Sequence, residues 1–124
     1  MKLDIDRKKI PEYAYTEWDR VPFGILVDNI QPCKPNARWK RLSVAHMFAG
    51  RLSSRSLHEF AQGIGLKREW FQDRATLPHY DLTPKMRAKA IRCGAIAVED
   101  RIVLAAMRAI RYGIEIASGE RAGE

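Results

Sequence analysis

The spacing of apolar positions changes several times along the chain, and each change marks an element. Residues 24–27 are an apolar run, Gly-Ile-Leu-Val, closed by Asp28 and Asn29, which predicts a buried strand ending at Asp28. Gln31 to Arg38, with Pro32 and Pro35, reads as a loop. Residues 42–49 alternate, with Leu42, Val44, His46 and Phe48 on one face and Ser43, Ala45, Met47 and Ala49 on the other, a second strand that Gly50 ends. Ser53 and Ser54 offer an N-cap to a helix carrying Leu57, Phe60, Ala61 and Ile64 at helical spacing, with Gly65 as its C-cap. The aromatic stretch at 67–72 predicts a third strand, and residues 73–81, containing Pro78, a loop. Thr83 before Pro84 is the chemistry of a helix start, so residues 85–93 should be helical and Gly94 should end them. Residues 95–98 read as a fourth strand. From Asp100, the stripe Ile102, Val103, Ala106, Met107, Ile110 and Ile114 predicts an amphipathic helix running to about Ser118.

Strands alternating with helices predict an α/β fold: a small, open, mostly parallel sheet of about four strands, two crossover helices and a C-terminal amphipathic helix. The first 22 residues show no sustained period and read as an arm that packs Tyr13, Tyr15 and Trp18, with Phe23 just beyond, onto the body. The division is then an arm at 1–22, the α/β domain at 23–99, the terminal helix at 100–118, packed on that domain or on a partner, and a tail at 119–124. The Val103, Met107, Ile110 and Ile114 seam would suit a homodimer. In open parallel sheets ligands bind at the carboxyl ends of the strands, which would gather Asp28, the turn after Gly50, Gln72 and the His79-Tyr80-Asp81 segment at one edge.

Composition narrows the class. With 124 residues, 46% hydrophobic and 30% charged, the chain can build one modest core. It has no apolar stretch of about 20 residues, so a membrane span is not expected. A start without a secretory apolar region, and Cys33 and Cys93 outside any paired spacing, fit a cytoplasmic protein with reduced thiols. The net charge is +7, and its distribution matters more than its size. Residues 1–33 sum to −1, residues 34–92 to +9 and residues 93–124 to −1, so an anionic partner should meet the central segment.

Within that segment cations and aromatics interleave, as Arg38-Trp39-Lys40-Arg41 and as Lys67-Arg68-Glu69-Trp70-Phe71-Gln72 with Arg74. Charge for phosphate and flat rings for bases are what a nucleotide or a single strand requires. Core packing of Trp70 and Phe71 explains the same pattern equally simply. His46 sits among apolar neighbours and reads alone as a hydrogen-bonded core histidine. Grouped with His79, Asp81 and Asp28, it could serve acid/base chemistry on a phosphodiester or glycosidic bond, or hold a metal. His58 lies beside the apolar face of its helix and reads as structural. The chain contains no GxSxG, HExxH, P-loop or GxGxxG, which excludes the common hydrolase, zinc-protease and nucleotide-binding templates in their recognisable forms.

Several short motifs in a fixed order are familiar: Ala45-His46-Met47-Phe48-Ala49, Leu57-His58-Glu59-Phe60-Ala61, Ile64-Gly65-Leu66, Trp70-Phe71-Gln72, Pro78-His79-Tyr80-Asp81-Leu82-Thr83, Lys85-Met86-Arg87-Ala88-Lys89-Ala90 and Gly94-Ala95. Together they resemble the bacterial and phage domain-of-unknown-function family DUF4031, over about residues 23–99, with Gly50-Arg51 standing where an Asp-Ser pair is usual. The resemblance implies a fold and a polar site, and no activity.

The leading expectation is a protein that binds a phosphate-bearing ligand, a nucleotide or nucleic acid, with Trp70, Gln72, Tyr80, Arg74, Arg51 and Lys85 as ligand-binding residues beside His46, His79, Asp81 and Asp28. The second is a small hydrolase or nuclease in which His46 and His79 act as an acid/base pair with Asp28 and Asp81, with a divalent metal as an open option. The third is a protein-interaction or inhibitor module.

Overall fold

The computed structural model describes residues 10–114. Four α-helices and six strands follow in the order α1 (Glu12–Trp18), β1 (Gly24–Val27), β2 (Gln31–Pro32), β3 (Ser43–Gly50), α2 (Ser54–Gly63), β4 (Phe71–Gln72), β5 (His79–Leu82), α3 (Pro84–Arg92), β6 (Ile96–Ala97) and α4 (Asp100–Tyr112). The sheet runs β4-β5-β3-β1-β6, with β2 also paired to β3. The fold is α/β and open, but the expected mostly parallel sheet is corrected to a mixed one, six strands rather than about four. Among the described residues the β1–β6 pair is parallel and every other pair is antiparallel. The cause is the connections. No helix lies between β1 and β3 or between β4 and β5, and without a crossover element adjacent strands can pair only antiparallel.

Local chemistry sets the helix starts. The Ser53 side chain accepts from the Ser56 amide to begin α2, and the Thr83 side chain accepts from the Met86 amide to begin α3, with Pro84 in the first turn. Beyond α2, a 3₁₀ turn (Arg68–Trp70) occupies half of the stretch expected as a strand and leaves only Phe71 and Gln72 in β4. The expected loop at 73–81 ends early instead. His79 to Leu82 alternate between partly exposed and buried side chains and form β5 between β3 and β4.

The two sheet faces are covered differently. On one, Ile25, Val27, Ala45, Met47, Tyr80 and Leu82 pack under α2 and α3 through Leu57, Ala61 and Ala90. On the other, Leu26 and Phe48 pack under α1 and α4 through Ala14, Trp18, Ala105, Ala106 and Ala109. Each large aliphatic or aromatic side chain so buried stabilises by about 1.5–3 kcal/mol relative to exposure. Part of the segment read as an irregular arm is thus the helix α1, with Trp18 buried while Tyr13, Tyr15 and Phe23 stay exposed. The Glu17 carboxylate takes two 2.8 Å hydrogen bonds from Arg108 and ties α1 to α4. Val103, Met107, Ile110 and Ile114, the seam suited to a homodimer, pack inward against this core. The expected continuation of the helix to Ser118, and the tail at 119–124, lie outside the described residues. Among the described residues no helix is long and apolar enough to cross a membrane.

Candidate functional site

Asp28 stands where the β1–β2 edge departs from regular pairing. Val27 pairs with Met47 and Gln31 with Val44, so the β1–β2 side carries one residue more than β3 across the same span. Such a bulge re-aims side chains. The Asp28 amide still donates to the His46 carbonyl at 3.1 Å, while the Asp28 Oδ1 accepts from the His46 amide, so a side chain takes over a ladder acceptor. The second oxygen, Oδ2, lies 2.8 Å from His46 Nδ1. Asp28 is only 1% exposed, and a buried carboxylate is tolerable only with such partners. Arg87 on α3 adds a 2.7 Å bond to the Asp28 carbonyl.

Antiparallel pairing places the remaining groups. His46 on β3 is opposite Asp81 on β5, and Gln72 on β4 is opposite His79. His79 and Asp81 are two residues apart on one strand and so share its face. On that face His46 stands two residues before Phe48 and outside the core that Phe48 shares with α1 and α4, and its side chain is 29% exposed, with Asp81 at 21% and His79 at 13%. Asp81 Oδ1 lies 3.7 Å from His46 Nε2 and 3.3 Å from His79 Nε2, and Gln72 Nε2 donates to the other oxygen, Oδ2. The two imidazoles meet edge to face with centroids 5.0 Å apart.

Hydrogen bonding dictates the tautomers. His79 Nδ1 lies 2.7 Å from the Leu77 carbonyl, which can only accept, so Nδ1 carries the hydrogen. Asp28 holds the hydrogen of His46 on Nδ1 in the same way. In the neutral form of each ring Nε2 is then a bare lone pair, and both face Asp81 Oδ1. Electrostatics favour the protonated form of His46, in which Nε2 also carries a hydrogen. The hydrogen bond to Asp28 pulls the His46 pKa above its ordinary value against the opposing effect of burial, with the Asp28 and Asp81 charges adding to it. Burial pushes the Asp81 carboxyl up, but the bond it accepts from His79 when that ring is protonated, the bond from Gln72 and the imidazolium charges outweigh that and hold it below the ordinary value.

The structure therefore brings Asp28, His46, His79, Asp81 and Gln72 together. It does so across a sheet face, with His46 and Asp81 inside their strands, Asp28 just past β1, Gln72 ending β4 and His79 beginning β5, and not at the carboxyl ends of parallel strands, because β3 and β5 run antiparallel. Arg74 borders the group through a 3.5 Å contact with the Gln72 side-chain oxygen. Two of the other expected ligand residues, Tyr80 and Arg51, lie apart from it. Tyr80 is fully buried on the opposite face, with its hydroxyl 2.9 Å from His58 Nδ1. Arg51 donates to the Trp18 and Val21 carbonyls beside the C-terminal end of α1, and β3 carries it to the start of β1, away from Asp28. Trp70 is half-exposed in the 3₁₀ turn, with Lys67 Nζ 5.6 Å from its ring, and Lys85 is exposed in the first turn of α3. Cys93 is exposed and caps α3. Sequence reasoning missed the Leu77 carbonyl, which no motif marks, and Arg87, which stands in the motif at 85–90 without any sign there that it reaches Asp28.

A family model described as protein of unknown function, DUF4031, matches residues 25–110. The match runs through β1 to β6 and well into α4, beyond the expected limit near residue 99. No curated protein and no solved structure matches the chain.

Proposed function

The chain belongs to the DUF4031 family, and we propose that it is a small hydrolase that activates water at the His46–His79–Asp81 cluster and delivers it to a phosphate-bearing substrate, a nucleotide or nucleic acid. One observation carries the reading. Two imidazoles with their Nδ1 hydrogens fixed, by Asp28 and by the Leu77 carbonyl, turn both Nε2 lone pairs toward one partly exposed point. A group that only filled a core would not need both lone pairs aimed at a carboxylate oxygen. Water polarised there attacks phosphorus: a new O–P bond forms as the ester P–O bond breaks, and the proton that water gives up goes to the leaving oxygen. Asp28 keeps His46 in the tautomer this requires, and Gln72 holds the Asp81 carboxylate in place.

The substrate class follows from charge and stacking. The central segment carries the whole cationic surplus, Arg74 borders the cluster through Gln72, and Trp70, two residues before Gln72, offers a half-exposed ring to a base. Exposed Cys93 and partly exposed Cys33 suit a reducing cytoplasm.

The test is turnover of bis(p-nitrophenyl) phosphate, nucleotides and single-stranded RNA and DNA. The expected result is product with at least one of them, lost by about 100-fold or more in His46→Ala and His79→Ala. Trp70→Ala should raise KM for a base-bearing substrate and leave kcat near its original value. No product from any substrate, with nucleotides still raising the Tm, would make the protein a sensor or sequestering protein instead.

A further inference from the structure

We infer that His46, His79 and Asp81 bind a divalent first-row transition ion, with Zn2+ as the reference probe. What the ion would do rests on the hydrolytic reading, but its binding is argued from geometry alone. The Leu77 carbonyl fixes the hydrogen of His79 on Nδ1, so the 3.3 Å approach of His79 Nε2 to Asp81 Oδ1 is attractive only if a positive charge stands between or upon them. A proton can supply that charge to one pair of atoms. It cannot serve the third, since His46 Nε2 is 3.7 Å from the same oxygen, outside hydrogen-bond length. A metal ion engages all three at once.

The dimensions suit that occupant. Ligand atoms of His46, His79 and Asp81 lie within 4.8 Å of one another. Bonds of about 2.0–2.1 Å around a tetrahedral ion set neighbouring ligand atoms roughly 3.3–3.4 Å apart, which the His79–Asp81 separation matches and the 3.7 Å His46–Asp81 separation exceeds, so the three atoms, spread over as much as 4.8 Å, draw together on the ion. The donor set chooses the metal. Two imidazoles and one carboxylate oxygen favour zinc and its first-row neighbours over magnesium or calcium, which take oxygen ligands. Three protein ligands leave a position for water, whose proton the ion makes easier to remove, while the imidazoles serve as ligands.

The surrounding shell makes the same point independently. Ligating histidines characteristically donate their other ring N–H to a carboxylate or a backbone carbonyl, and ligating carboxylates are themselves hydrogen-bonded. All three conditions hold here: Asp28 behind His46, the Leu77 carbonyl behind His79 and Gln72 behind Asp81. Both histidines and the aspartate stand on strands, so the cluster is carried by regular structure and not by a loop.

The experiment is calorimetric titration of the chelator-stripped full chain with Zn2+ and, separately, Mg2+, together with the visible absorption of the Co2+-loaded protein. One Zn2+ per chain with micromolar or tighter Kd is expected, with Mg2+ at least 100-fold weaker. Asp81→Asn and His79→Gln, which keep side-chain size and allow folding to be checked by thermal melting, should each weaken Zn2+ by about 100-fold or more and change the Co2+ spectrum. Cys33→Ser, Cys93→Ser and His58→Phe should leave both unchanged. Absence of stoichiometric binding, or binding that survives His79→Gln and Asp81→Asn in folded protein, would overturn the site. Hydrolysis that persists undiminished in chelator removes the metal and keeps the hydrolase, whereas tight Zn2+ binding without turnover of any substrate keeps the metal and removes the hydrolase.

Discussion

His46 and His58 stand against opposite faces of one sheet and are alike in their immediate geometry. Each has a partner on Nδ1 at under 3 Å, and each meets a second ring edge to face, His79 at 5.0 Å or Phe71 at 4.5 Å. Their chemistry is opposite. Behind His46 is a buried carboxylate, which fixes the hydrogen on Nδ1, exposes the Nε2 lone pair and raises the pKa. Behind His58 is the Tyr80 phenol, itself pushed up in pKa by burial and so kept able to donate, while burial of His58 and the nearby Arg68 charge lower the imidazole's pKa against the smaller effect of Asp73. The face under α2 and α3 thus spends an imidazole on satisfying a buried hydroxyl. The other face, where α1 and α4 stop short, leaves one available for a ligand. The atom behind the ring decides which role an imidazole takes.

Asp28→Asn should break this contrast most severely. The new carboxamide oxygen can still accept from the His46 amide, so the bulge survives, but its NH2 group now faces Nδ1. The ring must then accept on Nδ1 and carry its hydrogen on Nε2, which blinds the lone pair. Zn2+ affinity is expected to fall about 10–100-fold, as for lost partners of metal ligands, and turnover at subsaturating Zn2+ to fall with it. Thermal melting should show a folded protein. Unchanged Zn2+ affinity in a folded Asp28→Asn protein would mean that Asp28 does not set the His46 tautomer.

The opposite face should respond in stability and not in chemistry. His58→Phe keeps a ring against Phe71 but strands the Tyr80 hydroxyl, which is fully buried, and an unsatisfied buried hydroxyl costs about 1–3 kcal/mol. The denaturant midpoint should drop accordingly, with Zn2+ binding unaltered. Adding Tyr80→Phe should restore much of the loss, because an apolar pair of similar shape has nothing left to satisfy. A double variant as unstable as the sum of the single ones would show that packing, and not the hydrogen bond, is what His58 supplies.

Much of this contrast was legible in the sequence, and the missing parts have physical causes. Caps and periods located α2, α3, β1 and β3 to within a residue or two, since Ser53, Thr83 and the alternation around His46 act locally. Asp28, His46, His79 and Asp81 could be grouped because the chain has few imidazoles to place. Strand direction was not legible, because it depends on which strands become neighbours, and that misjudgement put Arg51 and Tyr80 at the site. His-Tyr-Asp-Leu does alternate, and had Pro78 not suggested a loop, that alternation would have separated Tyr80 from His79 and Asp81 at once. The Leu77 carbonyl was beyond reach, since every residue carries one and only the fold aims it.

The smallest effect is also the most direct reading of the two faces. In metal-free protein, ring-proton NMR should show His46 titrating above 6.5 and His58 below it. A pKa raised on folding stabilises the fold below the unfolded value, and that contribution is lost as pH rises through the folded pKa. A lowered pKa stabilises above the unfolded value and is lost as pH falls through the folded one. The contributions of His46 and His58 therefore run in opposite directions across neutrality, and a melting curve against pH would largely conceal both. Asp28→Asn separates them, because it removes the bond that raises His46 and leaves the surroundings of His58 intact. The stability deficit of metal-free Asp28→Asn relative to the unaltered chain should be widest below pH 6.5 and narrow as pH rises, while the His58 titration stays in place. A deficit that does not vary with pH would mean that Asp28 supports the fold through the His46 backbone amide alone.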